Sequence, residues 1–332
     1  MTLDHRGARI ALLLFLLAFA APGAARAVQS GFKLVLAPVG QAGPYFDLAM
    51  HPGDTATFQV DLANDGDAAV AARTYATDVF TIINGGYGGR LRDAAQTGAT
   101  TWLRYATEVL DLPSGERTRR SFTVTVPVDA GPGEYISSIV VENDAPLRSA
   151  GGVAFDQIVR QAVAVVITLP GPRAPELSLG AAHHEIIAGR SLVKIAVQNT
   201  GNVRLKPAVE FVLRDATRTE ISRASVQMDT FYSHTDTFVA MPLAALLPAG
   251  SYTVELTLTD TQQSIDTTGV IDLVVEAPPA TGPGGGGPAL TPVGPGGTDQ
   301  SVALMLAGLA FILAVLGLGA FVTAGKRRGP SV

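Results

Sequence analysis

Four histidines follow residue 27, and His183-His184-Glu185 is the one place where possible metal ligands crowd together. Neighbouring residues of a strand point to opposite faces, so these two imidazoles diverge instead of converging on one ion. His234 and Asp236 could add donors, but the ligand spacing of a zinc site is absent. A metal-dependent hydrolase using His183, His184 and His234 is the enzymatic alternative; a solvated strand start is the competing reading. Val141-Glu142-Asn143-Asp144-Ala145-Pro146 offers carboxylates and carbonyls of the kind a hard cation prefers, but a polar turn closed by proline is the preferred reading. No P-loop, HExxH, nucleophile elbow or dinucleotide glycine pattern occurs. The expected function is therefore non-catalytic, and no cofactor is expected.

Binding chemistry is better represented than catalysis. Sugars stack their apolar faces on aromatic rings. Trp102 is the only tryptophan, Tyr105 stands three positions on, and Asn84 and Tyr87 belong to the loop Asn84-Gly85-Gly86-Tyr87-Gly88-Gly89. Asn84, Tyr87, Trp102 and Tyr105 are the candidate ligand-binding residues; the competing role for Trp102 is to fill a core. Arg117, Arg119 and Arg120 form a small basic cluster on a predicted turn, either a solvated loop or a partner contact.

Short strands must position these residues. Phe58, Val60 and Leu62 alternate with Thr57, Gln59 and Asp61, the pattern of a half-buried strand, and Asn64-Asp65-Gly66-Asp67 turns the chain after it. Further extended stretches are predicted over 70–80, 102–112, 122–126, 135–141 and 161–169. The glycine-dense run 84–89 is predicted to be loop. This spacing without a convincing helix predicts a β-sandwich. Gly171-Pro172-Arg173-Ala174-Pro175 is a stiff linker, after which residues 176–276 repeat the plan. Val193, Ile195 and Val197 lead to the turn Asn199-Thr200-Gly201-Asn202, as Leu62 leads to Asn64-Asp65-Gly66. Tyr135 and Tyr252 each open a strand just after a Pro/Gly turn, where a ring can pack in the core while its hydroxyl bonds loop backbone. The predicted fold class is all-β, two tandem Ig-like β-sandwich domains over 28–170 and 176–276.

The ends of the chain place this body. Arg6 and Arg9, the apolar run 10–21 and Ala25-Arg26-Ala27 predict a signal peptide over 1–27. Residues 277–300 read as a stalk, since Pro278–Gly297 holds eight glycines and six prolines. Val302–Ala324 carries no charge and has the length of a membrane helix, and Lys326, Arg327 and Arg328 make 326–332 a basic cytoplasmic tail. A single-pass protein of the bacterial cell membrane, with its ectodomain outside, is the expectation, the transmembrane helix falling within 301–325. The chain has 24 Lys+Arg and 29 Asp+Glu; setting aside three Arg and one Asp in 1–27 and three tail cations leaves 18 against 28. That acidity argues against nucleic acid as a partner. There is no cysteine, hence no disulfide or thiolate site.

Pro44-Tyr45-Phe46-Asp47-Leu48, Pro52-Gly53-Asp54 and Phe58–Asn64 resemble the opening of the peptidoglycan-binding domain of the WxL-interacting protein family; the 84–87 loop and the 127–141 segment follow in the expected order. The resemblance covers about residues 31–170, and residues 174–276 resemble that family's second, host-binding domain more loosely. It implies a surface protein that contacts peptidoglycan through its first domain, with WxL-domain proteins as partners. Binding of peptidoglycan or other wall glycan, or of other surface proteins, is the leading expectation. An assembly or scaffold protein that holds a secreted partner near the membrane without glycan affinity is the alternative.

Overall fold

The alternation that marks residues 55–64 as a strand recurs along the chain, and nineteen strands form among the described residues. A computed structural model describes residues 33–148 and 156–277. The expected signal peptide, most of the stalk, the apolar run and the basic tail lie outside the described residues. The strands of the first half are β1 (Leu34–Pro38), β2 (Phe46–Ala49), β3 (Thr55–Asn64), β4 (Val70–Thr81), β5 (Tyr87–Gly89), β6 (Leu103–Arg104), β7 (Glu108–Leu112), β8 (Arg117–Thr125), β9 (Gly133–Asn143), β10 (Leu147–Arg148), β11 (Asp156–Gln157) and β12 (Arg160–Leu169). Those of the second half are β13 (Leu177–Ile187), β14 (Arg190–Asn199), β15 (Ala208–Asp215), β16 (Glu220–Gln227), β17 (Thr235–Pro242), β18 (Gly250–Asp260) and β19 (Ile265–Val275).

Each half builds its own sandwich. In the first, the sheet β1-β3-β8-β6 faces the sheet β2-β12-β9-β4-β5, with β7 also on β4. In the second, β13-β14-β17 faces β16-β15-β18-β19. Strand alternation sends Phe46, Val60, Leu62, Phe122, Ile139, Val165 and Ile167 into one core, and Val193, Ile195, Phe211, Val239, Val254 and Leu256 into the other. The Phe46–Phe122 edge-to-face pair, with centroids 4.9 Å apart, anchors the first core. Such a pair adds about 0.5–1.5 kcal/mol beyond the area it buries.

β12 explains its own composition. It pairs antiparallel with β9 along its length and parallel with β2 only from Val165 to Thr168. Val163, Val165 and Ile167 face the core, yet Val166 on the opposite face is buried too, as are Val140 and Ser138 of β9. The segment from Tyr87 to Gln96 lies over that second face: Thr77 Oγ1 donates to the Arg90 carbonyl and Gln96 Nε2 donates to the Ala76 carbonyl. A strand covered on both faces is apolar at nearly every position.

Three local expectations change. Tyr87–Gly89 is a strand, paired with Val79–Thr81, because hydrogen bonds to a long neighbouring strand hold a short glycine segment extended. Residues 102–112 are not one extended stretch: Gly98–Trp102 is a short 3-10 helix, followed by β6 and β7 in different sheets. The cluster Arg117, Arg119, Arg120 lies on β8, not on a turn. Strand pairing brings Arg119 opposite Asp61, bonded at 2.6 and 2.8 Å, while Arg117 meets Asp65 and Arg120 meets Glu108.

Candidate functional site

The two tyrosine devices form in both halves. Tyr135 donates to the Gly131 carbonyl at 2.9 Å, and Tyr252 donates to the Pro248 carbonyl at 2.8 Å, each four residues back. Three bonds recur in both asparagine turns, and Asn64 adds longer contacts of 3.3 Å to the Lys33 amide and the Pro113 carbonyl. Asn64 accepts from the Gly66 amide and donates to the carbonyls of Ala68 and Leu112. Asn199 accepts from the Gly201 amide and donates to the carbonyls of Val203 and Phe231. Both asparagines are buried, and every polar atom of a buried amide needs such partners.

The sandwiches meet through the hairpin tip between β4 and β5. Asn84 adopts φ +64°, and its side chain spans the Ala240 backbone: the Ala240 amide donates to Oδ1 at 2.7 Å, and Nδ2 donates to the Ala240 carbonyl at 3.2 Å. Its own amide donates to the Phe238 carbonyl, so the tip extends the edge of β17. Thr81 and Thr235 share a 2.6 Å hydroxyl contact beside it. A Cβ on Gly85 would stand 2.5 Å from the Asp229 carbonyl oxygen, and one on Gly133 2.6 Å from that of Asn202. Asn202 in turn bonds the carbonyls of Pro132 and Pro172 and the amide of Ala174. Glu134 accepts from the Arg204 amide at 3.0 Å and pairs with its guanidinium at 3.2 Å.

Beside this joint opens a groove of about 380 Å³. Asp78, Thr97 and Trp102 line one side with Tyr135, and Ser233 and His234 come from the second sandwich. The Trp102 and Tyr135 rings lie 4.5 Å apart between centroids. Asp78 Oδ2 accepts from both the amide and the hydroxyl of Thr97, whereas its Oδ1 is buried with no partner among the described residues. His234 holds φ +59°, in the left-handed region that histidine enters more readily than most residues with a side chain.

The four candidate residues do not form one surface. Asn84 belongs to the joint. Tyr87 lies beside it, its hydroxyl on Ser138 and its ring edge-on to Tyr232. Tyr105 packs against the first core and shares a 2.7 Å hydroxyl contact with Thr74. Burial pushes the hydroxyl pKa of both tyrosines up to about 12. Trp102 packs against the first core, and it also lines the groove. Sequence reasoning missed Asp78 and the groove role of His234; no local spacing ties them to Trp102.

The histidines do not assemble. His183 lies edge-on to Phe238, while His184 Nε2 is 2.7 Å from the hydroxyl of the fully buried Ser191, which also accepts from the Leu247 amide. His234 is in the groove, and no cluster of three or more metal-ligating side chains occurs among the described residues. Glu142 takes part in a different constellation. Its carboxylate is 1% exposed and meets Arg92 at 3.1 Å, Arg160 at 2.9 Å and the Tyr75 hydroxyl at 3.0 Å, which leaves its charge paired.

Beyond these sites, the edge of β12 is open. Among the described residues no strand pairs with the outer side of Arg160–Ala164, since β2 begins its pairing at Val165.

No protein-family model matches the chain, and no curated protein sequence matches it. Several solved structures are similar at low identity. One is from a chaperone–tip adhesin complex of CFA/I fimbriae biogenesis, at 12% identity over 71% of this chain and 98% of that one, TM-score 0.33. A second is the Salmonella enterica SafA pilin–SafB chaperone complex, at 10% identity over 74% and 97%, TM-score 0.31. A third is the E. coli chaperone DraB, at 11% identity over 74% and 99%, TM-score 0.31. At such TM-scores these likenesses do not bear on what this chain binds.

Proposed function

We propose that the chain is a non-catalytic assembly protein that holds a partner polypeptide by strand addition, tethered to a membrane by the apolar run 302–324. The open edge of β12 carries this reading. Unpaired backbone groups on an edge are a template for another strand, and proteins that avoid such pairing place charge or proline there. The other long edges follow that rule: β16 carries Glu220 and Arg223, β19 carries Asp266 and Asp272, β13 carries Glu185, and β1 ends in Pro38. The β17 edge takes the Asn84 tip. Ala162-Val163-Ala164 has no such guard, and Arg160 is turned to Glu142. A photo-crosslinker at position 162 in cells that make the protein should give one dominant protein adduct, and one at Thr268 on β19 should not. Ala162→Lys should abolish binding of that adduct's protein while shifting stability by about 0.5 kcal/mol or less. Equal adducts at both positions, or none at 162, would remove this reading.

Wall-glycan binding is a second reading. The resemblance of residues 31–170 motivates it, and Trp102 beside the groove is the observation in its favour. Full-length protein should then sediment with purified peptidoglycan, and Trp102→Ala should lower the bound fraction several-fold; sedimentation no greater than that of an unrelated sandwich protein would end it.

A further inference from the structure

Two apolar loops meet at the end of the second sandwich opposite the joint. β13, β15, β17 and β19 finish there and β14, β16 and β18 begin there, so the β13–β14 tip and the segment 242–250 share that end. Residues 242–250 contain no polar side chain, and Leu246 is 52% exposed. At the tip, Ile186 is 62% exposed, and Ala188 and Gly189 follow at φ +49° and +75°. A two-residue turn with both φ values positive favours asparagine or aspartate before the glycine. Alanine in that place accepts the left-handed strain without offering a polar side chain. The other non-glycine residues with positive φ among the described residues are Asn84, Arg218, His234 and Ser264, all polar. One buried residue fixes the loop to the tip. Ser191 stands opposite Ile186; its Oγ accepts from the Leu247 amide at 2.9 Å and lies 2.7 Å from His184 Nε2, and its carbonyl accepts from the Leu243 amide at 2.9 Å. Loops held together in this way present one surface, and an exposed apolar surface marks contact with protein or with membrane. The path of the chain decides between the two. Val275, the last residue of β19, pairs with Gly250, which closes the apolar loop. The chain therefore leaves the sandwich beside this surface, and 25 residues (277–301) separate Glu276 from the uncharged run 302–324. A bilayer that holds the run is kept at high effective concentration near this end, so shallow insertion of a few side chains is enough. Arg190, exposed just after the tip, has the reach to meet headgroup phosphate while its stem stays among apolar atoms.

We propose that this end of the second sandwich seats in the headgroup layer of a phospholipid bilayer, with Leu246 and Ile186 dipped into its acyl boundary and the joint end turned away from lipid. The inference rests on the membrane tether of the reading above and is independent of the β12 edge. The chain has no cysteine, so a single introduced cysteine carries a bimane reporter alone. Four full-length variants are compared: Leu246→Cys, Ile186→Cys, Gln262→Cys in the β18–β19 turn at the joint end, and Leu313→Cys within the apolar run. Each is reconstituted in phosphatidylcholine vesicles with and without nitroxide-labelled phosphatidylcholine. The expected result is strong quenching at Leu313, Leu246 and Ile186, and several-fold less at Gln262. Leu246 and Ile186 are both exposed, so either position tests the site should the other substitution disturb the fold. Strong quenching at Leu313, with Leu246 and Ile186 quenched no more than Gln262, would overturn the inference and leave the tether intact. Blue-shifted emission at Leu246 without lipid quenching would mean that a second copy of the chain covers the face, and would also overturn it. Absence of quenching at Leu313 would remove the tether, and the inference with it.

Discussion

Tyr87 and Tyr105 show how little a residue type says before its surroundings are known. Both are aromatic and polar, as a glycan site needs, yet each hydroxyl is held by a neighbouring hydroxyl inside the protein. Burial is the main cause that lifts their pKa to about 12, against an ordinary tyrosine value near 10. An acid whose folded pKa is raised adds stability that is complete below the unfolded pKa and is lost as pH rises through the folded one. Melting temperature should therefore hold steady up to about pH 10 and fall between about pH 10 and 12. A melting temperature unchanged over that window would show that these hydroxyls are not buried. The sequence offered the residues themselves but not this burial: Tyr87 belongs to the covering segment, which has no periodic signal, and Tyr105 is folded in against the first core.

At the scale of elements much more was legible. Alternation at 55–64 and 193–199 marked strands in the right places, and the similar turns after them share three side-chain bonds. Each buried asparagine replaces backbone partners that the turn cannot otherwise find. Loss of three buried hydrogen bonds at about 1 kcal/mol each predicts that Asn64→Ala and Asn199→Ala will each cost roughly 3 kcal/mol in denaturant unfolding. A large difference between the two would separate the turns energetically despite their matching bonds. The arginines on β8 escaped recognition for a physical reason. Closely spaced charged residues look like a turn, but here each has a carboxylate that only folding brings up: Asp61 on the paired strand β3, Asp65 in the turn after it, and Glu108 on β7. The 3-10 helix at Gly98–Trp102 was missed because it is a single turn without a repeating pattern.

The whole molecule depends on the joint, which no pattern in the sequence announces. Asn84, Gly85, Gly133 and Asn202 are ordinary turn residues by type; they become a docking surface only when both sandwiches exist. Gly85 combines φ +89° with contact against the Asp229 backbone, so any side chain there must push the tip away. Gly85→Ala should leave both cores intact while uncoupling them. Calorimetry should resolve two transitions where the unaltered chain gives one, and a single transition in the variant would contradict this. The groove beside the joint, with Trp102 and Asp78 on one sandwich and His234 on the other, should lose its geometry in the same variant.

The Asn84 contact also sets a schedule. Its partner Ala240 stands 156 residues further along the chain. Ribosomes add about 5–20 residues per second, so the tip waits on the order of ten seconds or more for the strand that receives it. Throughout that interval the amide of Asn84 lacks its strand partner, and Ile82 and Ile83, exposed even in the finished fold, stand just before it. The first sandwich is thus finished as a fold before it is finished as a surface, and a newborn chain passes through a stage in which its seam is open to any strand that arrives earlier than its own.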